Sequence, residues 1–167
     1  MRMKLVSLIA ASILLAACET APSTTGAAGG AGAGSTSTAT TTATPSGPTP
    51  GSQQDLVVNV GDRVFFDFNK SDLKPEARRT LERQAAWLKQ YGNVRVAVEG
   101  HCDERGTREY NLALGERRAN AAKDYLVSLG IPAARLSTIS YGKERPAVLG
   151  SNEAAWSQNR RGVTVVQ

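Results

Sequence analysis

The sequence predicts a two-layer α/β (α+β) sandwich, in which helices pack on a mixed β-sheet in the order β-α-β-α-β-β. Three observations lead to this fold class. Short segments rich in β-prone apolar residues occur at residues 62–68, 94–99, 136–141 and 162–166. Two longer segments with helical periodicity, residues 75–91 and 112–129, follow the first and second of these strands. Glycine or proline marks the junctions, and strands that alternate with helices in this way build one sheet layer and one helix layer.

The first strand and the first helix are defined by alternation followed by a helix-start signal. Over residues 62–68 the apolar residues Val64, Phe66 and Phe68 stand at every second position, which is typical of a half-buried strand. Pro75 suits the first position of a helix, because the N–H that proline lacks would have no partner there. The helix is predicted to continue to about Tyr91, since its apolar residues share one face, and Gly92 ends it.

The remaining elements follow from the same signals. The central strand at residues 94–99 opens into a polar, glycine-containing loop, and a second helix over about residues 112–129 closes at a glycine. A third strand is predicted at residues 136–141, a brief helical turn near residues 153–157, and a last strand at residues 162–166.

The charge pattern gives little support to nucleic-acid binding. The formal net charge is +5, with 20 Lys and Arg against 15 Asp and Glu. Two of the basic residues, Arg2 and Lys4, lie in a segment that we expect to be removed, which leaves 18 against 15. The remaining charges are interspersed, whereas a nucleic-acid footprint is a clustered basic patch or stripe. We therefore expect no nucleic-acid partner.

The N-terminus has the layout of a bacterial lipoprotein signal. Two basic residues precede an apolar run at residues 5–15, which is typical of a secretory signal peptide and too short for a membrane span. The run closes with the sequence LAAC at residues 15–18, which resembles a lipoprotein box. This resemblance implies that residues 1–17 are removed and that Cys18 is acylated, as with palmitate. The alternative is an ordinary signal peptide with an incidental cysteine.

A tether is predicted between the lipid and the folded domain. Residues 20–54 contain no charged side chain and consist almost entirely of Gly, Ala, Ser, Thr and Pro, so they cannot bury enough apolar area to fold. A coil of this length spans about 30–35 Å on average and roughly 115 Å when fully extended. We assign residues 18–54 to the lipidated cysteine and the tether, and residues 55–167 to the domain.

Two charged side chains are candidates for a binding pair. Arg118 falls on the apolar stripe of the second predicted helix, with Ala122 and Tyr125, and an arginine that faces a core needs an anion. Asp103 lies in the loop that precedes this helix. The pair suits a zwitterion, with Asp103 taking an ammonium group and Arg118 a carboxylate. The alternatives are a structural salt bridge from Arg118 to Asp103 or Glu99, and capping of the loop backbone by Asp103.

The sequence does not support catalysis or metal binding. His101 and Cys102 are adjacent, and neighbouring residues on a strand point to opposite faces, which argues against a nucleophile and base pair. The chain has one His and two Cys, without the spacing of a zinc site. We expect no enzyme activity, no metal and no cofactor. Asn111 is expected to brace the loop or to cap the second helix.

Five stretches of the chain resemble the OmpA-like peptidoglycan-binding domain, and most closely the family of peptidoglycan-associated lipoproteins. They are FDFNKSDL at 66–73, VEGHCDERGT at 98–107, YNLALGERRA at 110–119, SYGKERPAVLG at 140–150 and NRR at 159–161. The resemblance covers the whole predicted domain. It implies an OmpA-like fold that binds the stem peptide of peptidoglycan non-covalently at its diaminopimelate residue.

The resemblance also assigns ligand-binding residues. Asp103 and Arg118 match the two positions that hold the ammonium and the carboxylate of the diaminopimelate residue. Phe68 and Asn69 match the end of the first strand, which lines the pocket and offers a backbone amide. Leu114 matches a neighbouring position that supports the pocket or the scaffold.

Three further positions are interpreted through the same family. Arg161 matches a supporting position like that of Leu114. Asn69 stands where many relatives carry an acidic residue, which weakens any side-chain charge contribution. Cys102 replaces a small residue such as Thr or Ala, and we expect its thiol to be buried, the alternative being a disulfide between molecules.

The resemblance further implies the partners of this chain. They are peptidoglycan, the outer membrane through the lipid on Cys18, and the Tol-Pal system, with the periplasmic protein TolB competing for the same face of the domain. The implied role is to tether the outer membrane to the cell wall, in envelope integrity and in constriction at cell division. The alternative is an envelope protein-interaction module whose main ligand is a periplasmic protein such as TolB.

Overall fold

A computed structural model describes residues 47–167. The predicted signal peptide, Cys18 and the tether as far as residue 46 lie outside the described residues. In chain order the elements are α1 (Gln53–Asp55) with a π-helical continuation (Leu56–Val60), β1 (Arg63–Phe65), α2 (Pro75–Gln90), β2 (Val96–His101), α3 (Arg108–Ser128), a 3₁₀ turn (Ala133–Arg135), β3 (Leu136–Gly142), α4 (Glu153–Asn159) and β4 (Arg161–Val166).

The four strands form one mixed sheet in the order β1-β4-β2-β3. The inner strands β2 and β4 are antiparallel, β1 pairs antiparallel with β4, and β2 and β3 are parallel. The parallel pair is connected through α3, as parallel neighbours require a crossover. Helices pack on this sheet, so the predicted α/β sandwich with a mixed sheet is confirmed.

The first strand is shorter than the alternation of residues 62–68 predicts. It ends at Phe65, although the N–H of Phe66 still donates to Arg160 O at 2.9 Å. Beyond that point the carbonyls of Asp67 and Lys70 accept hydrogen bonds from a side chain of α3 instead of from a strand. The chain leaves the sheet here, and this exit brings the following loop to the candidate site.

The helix α3 begins at Arg108, four residues before the start that periodicity predicts. Its N-cap is Thr107, whose side-chain oxygen accepts the N–H of Tyr110 at 3.2 Å. A capping threonine satisfies one of the free N–H groups of the first turn. The extra turn therefore comes from a cap and not from an apolar face, which is why the periodicity misses it.

A further difference lies at the start of the domain. Gln53 and Gln54, which the composition assigns to the tether, belong to α1. The side chain of Gln53 donates to Thr164 O at 3.3 Å and accepts the N–H of Val166 at 2.7 Å. These bonds hold α1 against β4, and the adjoining Leu56 is fully buried.

The core lies between the sheet and the helices. The most deeply buried apolar side chains of this core include Leu56, Leu81, Leu88, Val96, Val98, Leu126 and Ile131.

One contact between the sheet and α3 admits only glycine. A Cβ at Gly100 of β2 would overlap the Gly115 carbonyl of α3, and a Cβ at Gly115 would overlap Ser140 Oγ of β3. This close approach fixes α3 directly over the parallel pair. Within residues 47–167, no helix is long and apolar enough to cross a membrane.

Candidate functional site

A pocket of about 160 Å³ opens where β2 leaves the sheet, beside the first half of α3 and the loop that follows β1. Its lining residues are Phe68, Asn69, Cys102, Asp103, Arg105, Gly106, Tyr110, Asn111, Leu114 and Arg118. All five residues that the resemblance assigns to ligand binding are among them. They come from three separate parts of the chain, and the fold brings them together.

Arg118 is fully buried, and backbone carbonyls hold its guanidinium group. Its Nε donates to Lys70 O at 2.8 Å, its Nη1 to His101 O at 2.8 Å and its Nη2 to Asp67 O at 3.0 Å. Burial lowers the pKa of this guanidinium, with partial compensation from Cys102 and Asp103. Arg118 therefore connects the loop after β1 to the end of β2. Within residues 47–167 it forms no salt bridge with a carboxylate, so the alternative of a structural salt bridge to Asp103 or Glu99 is wrong.

Asp103 is buried too, and two arginines surround its carboxylate. Oδ1 accepts the backbone N–H and the Nε–H of Arg105, both at 3.2 Å, while Oδ2 accepts Arg105 Nη2 at 2.6 Å and Arg160 Nη1 at 3.4 Å. Burial raises the pKa of this carboxyl, but the hydrogen bonds and charge of Arg105 outweigh burial, so the pKa lies below its usual value. Asp103 is therefore negatively charged at neutral pH.

Two aromatic rings hold the guanidinium group of Arg105. Its Cζ lies 3.9 Å from the ring centroid of Phe68 and 4.0 Å from that of Trp156. The indole N–H of Trp156 donates to Glu104 at 3.1 Å, which fixes the ring. A cation over two rings and beside a carboxylate is a favourable arrangement, since ring faces and Asp103 all carry negative potential.

The other wall of the pocket is formed by the loop after β1. Asn69 has a positive φ of 56°, which an asparagine tolerates better than most residues. Its side-chain oxygen accepts a hydrogen bond from the hydroxyl of Tyr110. Phe68 next to it is 55% exposed, so the rim of the pocket is apolar and open to solvent.

Buried side chains of β2 and α3 support the floor of the pocket. Leu114 lines it and is buried. Asn111 Nδ2 donates to the carbonyls of Arg105 and Thr107 at 2.8 and 3.0 Å, so the expectation that Asn111 braces the loop is confirmed. Cys102 is also buried, as expected, and its thiol lies 3.3 Å from Asn111 O.

The adjacent His101 and Cys102 have separate surroundings. The ring of His101 stacks on Tyr141 with 5.5 Å between centroids, and neither ring nitrogen has a hydrogen-bond partner within residues 47–167. Its Nε2 lies 3.6 Å from Glu99. Burial raises the pKa of the Cys102 thiol, which is unfavourable for a nucleophile. In the described part of the chain, no group of three or more His, Cys, Asp and Glu could hold a metal ion.

The chain is similar in sequence to proteins of one known family. A family model described as the OmpA family matches residues 65–160. The chain belongs to the OmpA family. A protein named peptidoglycan-associated lipoprotein from Agrobacterium fabrum is 60% identical over 118 residues, which cover 71% of this chain and 67% of that protein. A protein of the same name from Pseudomonas aeruginosa is 52% identical over 117 residues, covering 70% of this chain and 69% of that protein.

Solved structures of OmpA-like domains agree with this assignment. The peptidoglycan-associated lipoprotein from Burkholderia pseudomallei superposes with a TM-score of 0.62 at 42% identity, covering 64% of this chain and 90% of that one. The C-terminal domain of Helicobacter pylori MotB superposes with a TM-score of 0.60 at 20% identity, over 64% of this chain and 84% of that one, which speaks for the fold alone. The predicted relationship is therefore confirmed.

In this OmpA-family chain, three side chains that build the site are not predicted from the sequence. Arg105 and Arg160 bind the carboxylate of Asp103, and Trp156 packs on the guanidinium group of Arg105. Arg161, expected to support the pocket or the scaffold, donates to the carbonyls of Asn159 and Arg145 and is not a lining residue, so it supports the scaffold. The adjacent arginines 160 and 161 point to different places because Arg160 is the C-cap of α4, whereas Arg161 is the first residue of β4.

Proposed function

We propose that this OmpA-family chain binds peptidoglycan non-covalently, with the diaminopimelate residue of a stem peptide in the pocket. The observation that carries the proposal is that a buried carboxylate and a buried guanidinium, Asp103 and Arg118, line one pocket with apolar walls. Opposite charges held apart in one cavity match a zwitterion. The names of the relatives, which associate those proteins with peptidoglycan, support this choice of ligand. Binding requires no reaction.

The roles of the two charges follow from their donors and acceptors. Three of the five N–H groups of Arg118 bond to carbonyls, which leaves two for a ligand carboxylate. Asp103 provides the negative charge for an ammonium group. Phe68 and Leu114 contact the methylene chain between these groups, and the backbone N–H of Asn69 bonds a peptide oxygen.

We extend the proposal to the envelope. Cys18 carries the lipid that holds the chain to the outer membrane, and the tether lets the domain reach the cell wall in the periplasm. The chain takes part in the Tol-Pal system, with TolB competing for the pocket face, and in envelope integrity and cell division. The lipoprotein box and the resemblance of the whole domain support this part.

Co-sedimentation with purified peptidoglycan sacculi tests the proposal. For this test, the soluble chain is defined as residues 18–167 with the substitution Cys18→Ser. We expect it to sediment with sacculi and to be released by an excess of free diaminopimelate-containing stem peptide. Asp103→Asn is expected to stay in the supernatant, while Asp124→Asn, which removes the same charge from an exposed position on α3, sediments like the parent.

The second candidate is a protein-interaction module. It is favoured by exposed apolar side chains on and near the pocket rim, among them Phe68 at 55%, Tyr110 at 45% and Leu112 at 49% exposure. Under this function, sedimentation with sacculi is absent or persists unchanged with excess stem peptide. Either result overturns the first proposal in favour of the second.

A further inference from the structure

The carboxylate of Asp103 has no vacant acceptor position in the described structure. A carboxylate offers about four lone-pair sites. Arg105 fills three of them through its backbone N–H, Nε and Nη2, and Arg160 fills the fourth through Nη1. An ammonium group that binds Asp103 must therefore displace one of these donors.

Arg160 is poorly placed to leave. Its side chain is 8% exposed, and it also donates to Phe66 O at 3.2 Å and to Glu153. Its withdrawal would leave Phe66 O without this donor in a buried position, which is unfavourable. Arg160 is therefore a fixed part of the site.

Arg105 is the side chain that can leave. It is 31% exposed, and apart from Asp103 its contacts are the faces of Phe68 and Trp156. Contacts with ring faces are less directional than hydrogen bonds, so the guanidinium can move outward along the rings and into water. The buried group that loses its side-chain donors is Asp103, which keeps Arg160 and gains the incoming ammonium group. Its backbone N–H can remain on Asp103 throughout.

We infer that Arg105 is an internal occupant of the ammonium subsite, which consists of Asp103, Phe68 and Trp156. The inference rests on the proposed function and adds a specificity-determining residue to it. Binding of a stem peptide is an exchange in which an alkylammonium group replaces the Arg105 side chain on Asp103. Because Asp103 is paired before and after, the exchange admits cationic ligands and rejects neutral ones, which would leave the buried carboxylate poorly compensated.

Calorimetric titration of the soluble chain tests this exchange. The ligands are the diaminopimelate-containing stem peptide and the same peptide with its free side-chain amine acetylated. We expect Arg105→Ala to bind the unmodified peptide about tenfold more tightly than the parent, because no side chain competes for Asp103. Arg79→Ala, which removes an exposed arginine of α2, is expected to bind like the parent, and acetylated peptide is expected to bind none of the three. If the parent binds the unmodified peptide, equal or weaker binding by Arg105→Ala overturns the inference.

A second arm separates this inference from the proposed function. Butylammonium chloride needs only the ammonium subsite, so we expect it to bind Arg105→Ala measurably better than the parent whether or not stem peptides bind. If the parent and all variants ignore the stem peptide but butylammonium still distinguishes them, the proposed function fails and the inference stands. If butylammonium fails to distinguish them, the inference fails. Arg105→Gln, which keeps a polar side chain, replaces Arg105→Ala should the latter unfold.

Discussion

At the scale of single residues, Arg118 has two tasks, since it lines the pocket and also holds the surrounding backbone. Its three carbonyl partners belong to the loop after β1 and to the end of β2. A buried guanidinium that satisfies several carbonyls is hard to replace, because truncation leaves each acceptor without a donor. Loss of ligand binding in an Arg118 variant would therefore reflect loss of structure as much as loss of a contact.

This dual role predicts a large effect on stability. Arg118→Ala is expected to lower the free energy of unfolding by about 3 kcal/mol or more, because three carbonyl bonds are lost inside the fold. Arg117→Ala, the exposed neighbour, is expected to change it by less than about 0.5 kcal/mol. Urea denaturation measures both. Equal, small effects would contradict a structural role for Arg118.

His101 gives the domain a pH dependence of its own. Burial, with the charge of Arg161 added, lowers the pKa of this histidine to about 4, despite Glu99 at 3.6 Å. In the unfolded chain the imidazole titrates near pH 6.5, so between these values the unfolded state binds more protons. The contribution of the neutral His101 to the free energy of unfolding is therefore fully present above pH 6.5, and it is lost as the pH drops towards 4.

Because of His101, the free energy of unfolding is expected to fall by about 2–3 kcal/mol between pH 7 and pH 4. His101 is the single histidine of the chain, so His101→Phe, which keeps a ring against Tyr141, removes this contribution. Denaturant unfolding at pH 7, 6, 5 and 4 compares the parent with the variant. If both lose stability equally between pH 6.5 and 5, the histidine is not the cause.

At the scale of elements, the contact between β2 and α3 leaves no room for a side chain at two positions. Gly100 and Gly115 allow the helix to approach the strand so closely that an added Cβ overlaps backbone. This approach positions Leu114 and Arg118 at the pocket floor. The geometry of the site therefore depends on two residues that have no side chain.

Gly100→Ala is expected to destabilise the domain by about 1–3 kcal/mol, since the new methyl group forces α3 away from the sheet. It should also weaken stem-peptide binding, because the pocket floor moves. Gly92→Ala is the matched control: nothing lies within 4 Å of the added Cβ, and its stability should change little. Thermal unfolding and peptide titration measure the two effects, and a Gly100→Ala variant as stable as Gly92→Ala would contradict this packing.

Periodicity was sufficient to predict the main elements and the buried direction of Arg118. It placed α2 and β3 almost as observed, because both have regular apolar patterns bounded by proline or glycine. It missed α1 and the first turn of α3, whose starts depend on the caps Ser52 and Thr107. A helix cap depends on a single residue, so it produces no periodic pattern in a sequence.

The candidate pocket was predictable in its charges but not in its pairing. Charge logic and the family resemblance selected Asp103 and Arg118, which the structure places in one pocket. The pairing of Arg105 with Asp103, two positions apart, depends on side-chain rotamers. The position of Arg105 over Phe68 and Trp156 depends on residues at least 37 positions away in the chain. Such contacts arise from the tertiary fold and have no local signature.

At the scale of the whole molecule, we propose that the tether connects a lipid on Cys18 to the domain that carries the pocket. We expect the mature chain to fractionate with outer membranes in Gram-negative cells, and a Cys18→Ser chain exported behind an ordinary cleavable signal peptide to appear in the soluble periplasm. The variant should still sediment with sacculi, because the pocket is unchanged. Western blotting of fractions measures both, and membrane association of Cys18→Ser would contradict the lipid anchor.

Calorimetric titration of the soluble chain with a diaminopimelate-containing stem peptide, beside Asp103→Asn and Asp124→Asn, tests most directly whether the pocket binds peptidoglycan. We expect binding by the parent and by Asp124→Asn, and at least about a thirtyfold loss for Asp103→Asn, corresponding to roughly 2 kcal/mol or more for a missing buried charge partner. Circular dichroism verifies that each variant is folded. Undiminished binding by a folded Asp103→Asn variant, or no binding by the parent, would show that the pocket does not bind the stem peptide through Asp103.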